Sequence, residues 1–105
     1  DPPRCVEKIK GYWSFEVCFG EQVQQFHAFV KDGKRSHVTS LGSHVPSLDA
    51  PGVQRFQGGE VCKETKRPRE STVTLRCGRQ DRIIATSEEP PCQYIPDVEA
   101  RVFCE

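Results

Sequence analysis

Six cysteines in 105 residues, Cys5, Cys18, Cys62, Cys77, Cys92 and Cys104, constrain this chain more than any other feature. With only 35% apolar residues the core is thin, and domains of this size commonly compensate with disulfides formed in an oxidising compartment. An even set with no thiol left over reads as three bridges rather than as a catalytic cysteine. No C-x-x-C pair and no histidine at finger spacing points to zinc, so no metal and no cofactor is expected. Six cysteines allow about 15 connectivities, and spacing alone does not choose among them.

Fifteen basic and fifteen acidic residues cancel, and the densest basic block is "KRPR" at Lys66–Arg69. That leaves no electrostatic footprint for nucleic acid or an anionic membrane. No apolar run approaches the roughly 20 residues of a membrane span. The chain contains no Asn, hence no acceptor for an N-glycan. Residues 1–105 read as one domain, and a start at Asp1 with no Met anywhere reads as a piece excised from a longer secretory-pathway protein.

Tyr12 to Phe19 alternates, with Trp13, Phe15, Val17 and Phe19 on one face and Ser14, Glu16 and Cys18 on the other, as in a half-buried strand. A second strand is expected from Gln22 to Val30. The "KDGKR" turn, in which Asp32-Gly33 supplies a positive φ, then leads into "SHVTSLGS". Val45 to Gly59 lacks any period and reads as a loop. Further strands are expected at "EVCKET", "STVTLRC" and "DRIIATS", with a last one from Cys92 to Cys104 interrupted by Pro96. No helical periodicity competes, so short strands separated by Gly and Pro indicate an all-β barrel or two-sheet sandwich.

Four segments carry side chains that strand filling does not explain. Gln22, Gln24 and Gln25 crowd one strand. Arg69 shares strand parity with Val73, Leu75 and Cys77, the interior face. A cation placed there needs an acid such as Glu88 or Glu89, or several acceptors, because an unpaired buried charge costs several kcal/mol. The alternative is a solvated Arg69 at the rim. In "EEPPCQY", Pro90 and Pro91 favour an extended, stiff segment that would hold Glu88 and Tyr94 around Cys92, either as a binding element or as an ordinary strand entrance. His27, His37 and His44 show no triad or ligand spacing and read as solvated. No G-x-S-x-G elbow or carboxylate pair marks an enzyme.

Taken in order, Cys5, "YWSFEVCFGEQVQQFH", "LGS", "GGEVC", "RPRESTVTLRCG", "EEPPCQY" and the final "FCE" resemble the mannose 6-phosphate receptor homology domain over nearly the whole chain. The resemblance implies a flattened β-barrel of two crossed antiparallel sheets, with bridges Cys5–Cys18, Cys62–Cys92 and Cys77–Cys104. It also implies a mannose-binding quartet of Gln25, Arg69, Glu88 and Tyr94, with Glu88 preferred to Glu89 because the family's acid stands four residues before the cysteine.

Tyr12-Trp13 is similar to the double-Trp feature of the endoplasmic-reticulum degradation lectins, the erlectin and osteosarcoma-amplified type, with Tyr in place of one Trp. These two residues are the expected extended sugar contact. The segment between Leu41 and Val61 is shorter than is usual in the family, and "QGGEVC" stands where Asn-Gly is usual.

The function implied is a non-enzymatic lectin in the endoplasmic reticulum lumen. It would recognise terminal mannose on trimmed high-mannose N-glycans, with glycoproteins and the quality-control machinery as partners. The same domain in the noncatalytic β subunit of glucosidase II, presenting glycans to a catalytic chain, is the nearest rival. A disulfide-rich protein-interaction module without sugar binding is the rival of a different class.

Overall fold

The computed structural model describes residues 4–29 and 31–104. Eight strands follow in chain order: β1 (Cys5–Lys10), β2 (Trp13–Cys18), β3 (Gln22–Ala28), β4 (Arg35–His44), β5 (Val53–Gln57), β6 (Glu70–Cys77), β7 (Arg82–Glu88) and β8 (Gln93–Ala100). They form one sheet in the order β1-β2-β3-β4-β5-β6-β8-β7. The two end strands, β1 and β7, lie side by side, so the sheet curls into a nearly closed barrel. Lys10 Nζ crosses that seam to donate to the Thr86 carbonyl at 2.7 Å. Extents of 41 × 37 × 20 Å make the barrel flat. This is the all-β, three-disulfide fold expected. One pairing, β6 with β8, is parallel because β7 runs out along the edge and β8 returns between them.

Val6, Phe15, Val17, Val23, Leu41, Phe56, Val73, Ile83, Tyr94 and Val98 form the core. Inward Phe15 and Val17 follow the predicted alternation of β2, but the opposite face, Ser14, Glu16 and Cys18, is buried as well. The reason is a polar cover on the outside of β2 and β3. Arg35 lies 4.0 Å over the Phe26 ring and donates to both carboxylate oxygens of Glu16, at 3.1 and 3.0 Å. It also reaches Glu7 at 3.1 Å, while Gln24 Nε2 donates to Glu16 at 2.7 Å. Gln24 therefore belongs to this cluster, and one of the unexplained glutamines has a structural task.

Arg35's donated bonds hold the Glu16 carboxyl below its ordinary value, against the opposing effect of burial. A depressed folded-state value contributes stability that is present above the unfolded value and is lost as pH falls through the folded one. Glu16→Gln is expected to cost about 1–2 kcal/mol at pH 7 and to flatten the fall in stability below about pH 4.5. Thermal melts of both proteins from pH 7 to pH 3 check this, and equal slopes would remove Glu16 from the acid sensitivity.

Several expected boundaries shift. β3 ends at Ala28, and Val30, where the second strand was expected to end, lies outside the described residues. The Asp32-Gly33 turn forms, with Gly33 at φ 70° and its N–H donating to Phe29 at 2.8 Å. β1 escaped the sequence reading because only Val6 of its residues is buried and Ile9 is 77% exposed.

Val45–Gly59 is not simply a loop. It carries a 3₁₀ turn, Pro46–Leu48, and the strand β5, whose Phe56 is fully buried behind flanking Pro51 and Gly52. "EVCKET" is a turn rather than a strand, closed by Cys62 N–H to Arg67 (2.8 Å) and Lys66 N–H to Cys62 (2.9 Å), with a lone bridge between Val61 and Pro68.

β8 runs unbroken through Pro96. The proline's missing N–H falls in the gap of the β6 register between Ser71↔Tyr94 and Thr74↔Asp97. A short 3₁₀ turn, Arg101–Phe103, rather than more strand, leads to Cys104. Two of the histidines expected in solvent are engaged: His27 stacks on Tyr12 and His44 Nε2 meets Asp49 at 2.7 Å.

Candidate functional site

The cysteines pair as Cys5–Cys18, Cys62–Cys92 and Cys77–Cys104, the set implied by the resemblance. The fully buried Cys62 ties the turn after β5 to the entrance of β8. Around that bridge lies a cleft of about 390 Å³ lined by Gln25, Arg69, Glu88 and Tyr94 together with Trp13. Five strands or their ends contribute. Gln25 comes from the middle of β3, Trp13 from the start of β2 and Arg69 from the residue before β6. Glu88 ends β7, and Tyr94 is near the start of β8.

Arg69, Glu88 and Tyr94 are each partly engaged and partly open, and Gln25 is open. Arg69 Nε donates to the Tyr94 hydroxyl at 3.3 Å, and its Nη1 donates to the carbonyls of Glu60 (3.3 Å) and Val61 (3.1 Å). Its Nη2 meets no protein acceptor among the described residues. Glu88 Oε2 accepts the Cys92 N–H at 2.8 Å, which pins a residue at φ 66°, while Oε1 has no protein donor among the described residues. The Gln25 amide makes no side-chain hydrogen bond among them either. The Tyr94 ring is 4% exposed. Burial holds its phenol above the ordinary value, with the bond from Arg69 pulling the other way, so the hydroxyl stays protonated at neutral pH and can donate.

Glu88, one of the two acids considered as a partner for Arg69, does not neutralise it. No ion pair joins them, because Arg69 is satisfied by two loop carbonyls and a phenol while Glu88 caps a backbone N–H. Of the two readings of Arg69, partnered by several acceptors or solvated at the rim, the structure has the first.

The loop reaches Arg69 through a close approach at Gly59, where a Cβ would lie 2.6 Å from the Ser40 carbonyl oxygen and 2.8 Å from that of Arg69. Glu88 lines the cleft and Glu89 does not. Tyr12 does not line it but stands beside it, edge-on to Trp13 at 5.0 Å and stacked on His27 at 3.9 Å with 6° between planes.

Sequence reasoning missed Lys10, Glu64, Thr86 and Ser87, which also line the cleft. Lys10 is the register partner of Trp13, so reading β1 would have found it. Glu64 sits in a turn, where no periodicity could have placed it.

The sequence model of the glucosidase II beta subunit-like protein family matches residues 3–82, a span that holds Gln25 and Arg69 but ends before Glu88 and Tyr94. Endoplasmic reticulum lectin 1 of Mus musculus is 33% identical over 125 residues, covering 96% of this chain and 26% of that protein. Protein OS-9 of Homo sapiens is 25% identical over 121 residues, covering 95% and 18%. The chain therefore spans about a quarter or less of the length of these curated relatives.

Among solved structures, the mannose 6-phosphate receptor homology domain of glucosidase II beta, crystallised with mannose, superposes with a TM-score of 0.77 at 20% identity, over 96% of this chain and 93% of that one. The corresponding domain of Yos9, solved in complex with alpha3,alpha6-Man5, gives 0.69 at 23% identity, over 96% and 76%. The chain belongs to the glucosidase II beta subunit-like protein family, and its fold is that of the mannose 6-phosphate receptor homology domain.

Proposed function

We propose that the cleft binds terminal mannose on trimmed high-mannose N-glycans, and that the domain is a non-catalytic lectin serving glycoprotein quality control and degradation from the endoplasmic reticulum lumen. One observation carries this reading: a single cleft gathers an amide, a guanidinium, a carboxylate and a phenol beside Trp13, each with hydrogen-bonding capacity that the described residues leave unused. These are the Gln25 amide, Arg69 Nη2, Glu88 Oε1 and the O–H of Tyr94. Mannose differs from glucose in its axial 2-hydroxyl, so a selective site must satisfy that group and strand a partner when it points elsewhere. The Gln25 amide offers a donor and an acceptor, Arg69 Nη2 a donor, and Glu88 Oε1 an acceptor for vicinal hydroxyls. An epimer that strands one buried partner loses about 1–3 kcal/mol.

A single sugar buries little area and binds weakly, on the order of millimolar. Trp13, with Tyr12 beside it, offers a flat surface that strengthens the hold on an oligosaccharide. A second reading, presentation of N-glycans to a glucosidase catalytic subunit, draws support from the description of the matched family and from the superposition on glucosidase II beta. In both readings the glycan on a glycoprotein is the primary partner.

The test is glycan-array and calorimetric binding of the oxidised domain beside Gln25→Ala, a change that breaks no side-chain hydrogen bond among the described residues. Wild type is expected to bind mannose-terminated and not glucose-terminated arms, and the variant to bind at least about tenfold more weakly. No binding by correctly bridged wild type would replace this reading with the protein-interaction module.

A further inference from the structure

Behind the Arg69 cleft, on the outer face of the sheet at β5, β6 and β8, lies a second cleft of about 440 Å³. Strand alternation builds it. Phe56, Ser71 and Tyr94 point inward and are buried, so their neighbours Gln57, Glu70 and Gln93 point out. Glu70 pairs with Gln93 across β6 and β8, and the Phe56↔Ser71 pair brings Gln57 alongside Glu70 one step further on. The three side chains thus form one row across β5, β6 and β8. Arg67 reaches the same cleft from the turn, and the rings of Pro68 and Pro90 wall it.

Among the described residues, none of the side chains of Gln57, Arg67, Glu70 and Gln93 makes a hydrogen bond or an ion pair with another protein group. Cys92 lines both clefts, which places them back to back across the Cys62–Cys92 bridge.

We propose that this outer cleft is a second binding site for a neutral polyol, a further arm of a glycan, independent of the Arg69 cleft. The chemistry selects that class. Two amides, one carboxylate and one guanidinium give matched donors and acceptors with no net charge, which suits vicinal hydroxyls that both donate and accept. A phosphorylated or carboxylated ligand would find its cation already offset by Glu70. A peptide anchored by an apolar side chain would find no aliphatic or aromatic pocket, since the apolar walls are proline rings, and these suit the C–H face of a sugar.

The proposal goes beyond the reading of the first cleft, and side-chain amide NMR separates the two. The oxidised domain is titrated with an oligomannose glycan and, separately, with maltotriose as a second neutral polyol. In Gln25→Ala protein, the Gln57 and Gln93 side-chain amides are expected to shift with at least one sugar. Gln57→Ala/Gln93→Ala is expected to weaken that event at least tenfold, read at the Glu70 backbone amide, while leaving affinity at the Gln25 cleft within twofold. No shift at Gln57 and Gln93 with either sugar, or a shift seen only while Gln25 is intact, would overturn the second site. Shifts at Gln57 and Gln93 without any at the Gln25 amide in wild type would instead count against the first cleft alone.

Discussion

Arg69→Ala is expected to abolish mannose binding, with affinity falling at least about 100-fold, or about 2.7 kcal/mol. The size follows from how many jobs one guanidinium holds. Nε meets Tyr94, Nη1 meets two loop carbonyls, and Nη2 is left for the sugar. A lost bond to a charged donor costs about 1.5–3 kcal/mol, and alanine also leaves the Val61 carbonyl without the guanidinium, while the Glu60 carbonyl keeps only the backbone N–H of residue 69. Arg69→Lys separates charge from geometry. A single ammonium cannot span a phenol, two carbonyls and a ligand, so lysine is expected to lose at least about tenfold while keeping the charge. Calorimetry with an oligomannose glycan reads affinity, and thermal melts show how much of the loss is unfolding. A folded Arg69→Ala protein that binds within threefold of wild type would place the sugar elsewhere.

The four candidate residues were legible through the family resemblance, which ties Arg69, Glu88 and Tyr94 to cysteine positions; strand parity alone left Arg69 and the Glu88–Tyr94 segment with a second, purely structural reading. Glu88 and Tyr94 flank Cys92, and Arg69 precedes Cys77 by an even step that kept it on the inward face. The sequence reading recovered β2, β3, β4, β6 and β7, which are bounded by turns carrying Asp-Gly or Gly, although β3 and β4 pair through register shifts and β2 is buried on both faces. It failed where one sheet position is unlike its neighbours. β1 buries one residue, β5 hides behind Pro51 and Gly52, and Pro96 sits inside a strand at a position that needs no donor.

The two charges that the sequence invited into an ion pair instead divide the backbone between them. Arg69 takes carbonyls and Glu88 takes an N–H. Periodicity cannot reveal this, because the partners are main-chain groups of an irregular turn. The outer row Gln57, Glu70 and Gln93 was equally hidden, since it appears only when the β5–β6–β8 register is known.

That dependence of the cleft on its irregular segments gives the second large effect. Removing the Cys62–Cys92 bridge with Cys62→Ser/Cys92→Ser is expected to cost about 3–4 kcal/mol. The bridge closes a separation of 30 residues and thereby restrains the unfolded chain across β6 and β7. Cys62 is 0% and Cys92 6% exposed, so two hydroxyls would enter a site with no partners waiting for them. Binding should fail before folding does. The turn holding the Arg69 acceptors and the Cys92 N–H held by Glu88 are joined through this bond, so its loss uncouples two of the four pocket residues. Removing Cys77–Cys104, whose cysteines line no part of the Arg69 cleft, should destabilise by a comparable amount, because the closed separation is 27 residues. It should leave affinity within about threefold of wild type at temperatures where the protein is folded. Denaturant unfolding paired with glycan calorimetry on both variants compares them. Equal losses of affinity would mean that the cleft depends on overall stability; a selective loss without Cys62–Cys92 would mean that this bond holds the binding geometry itself.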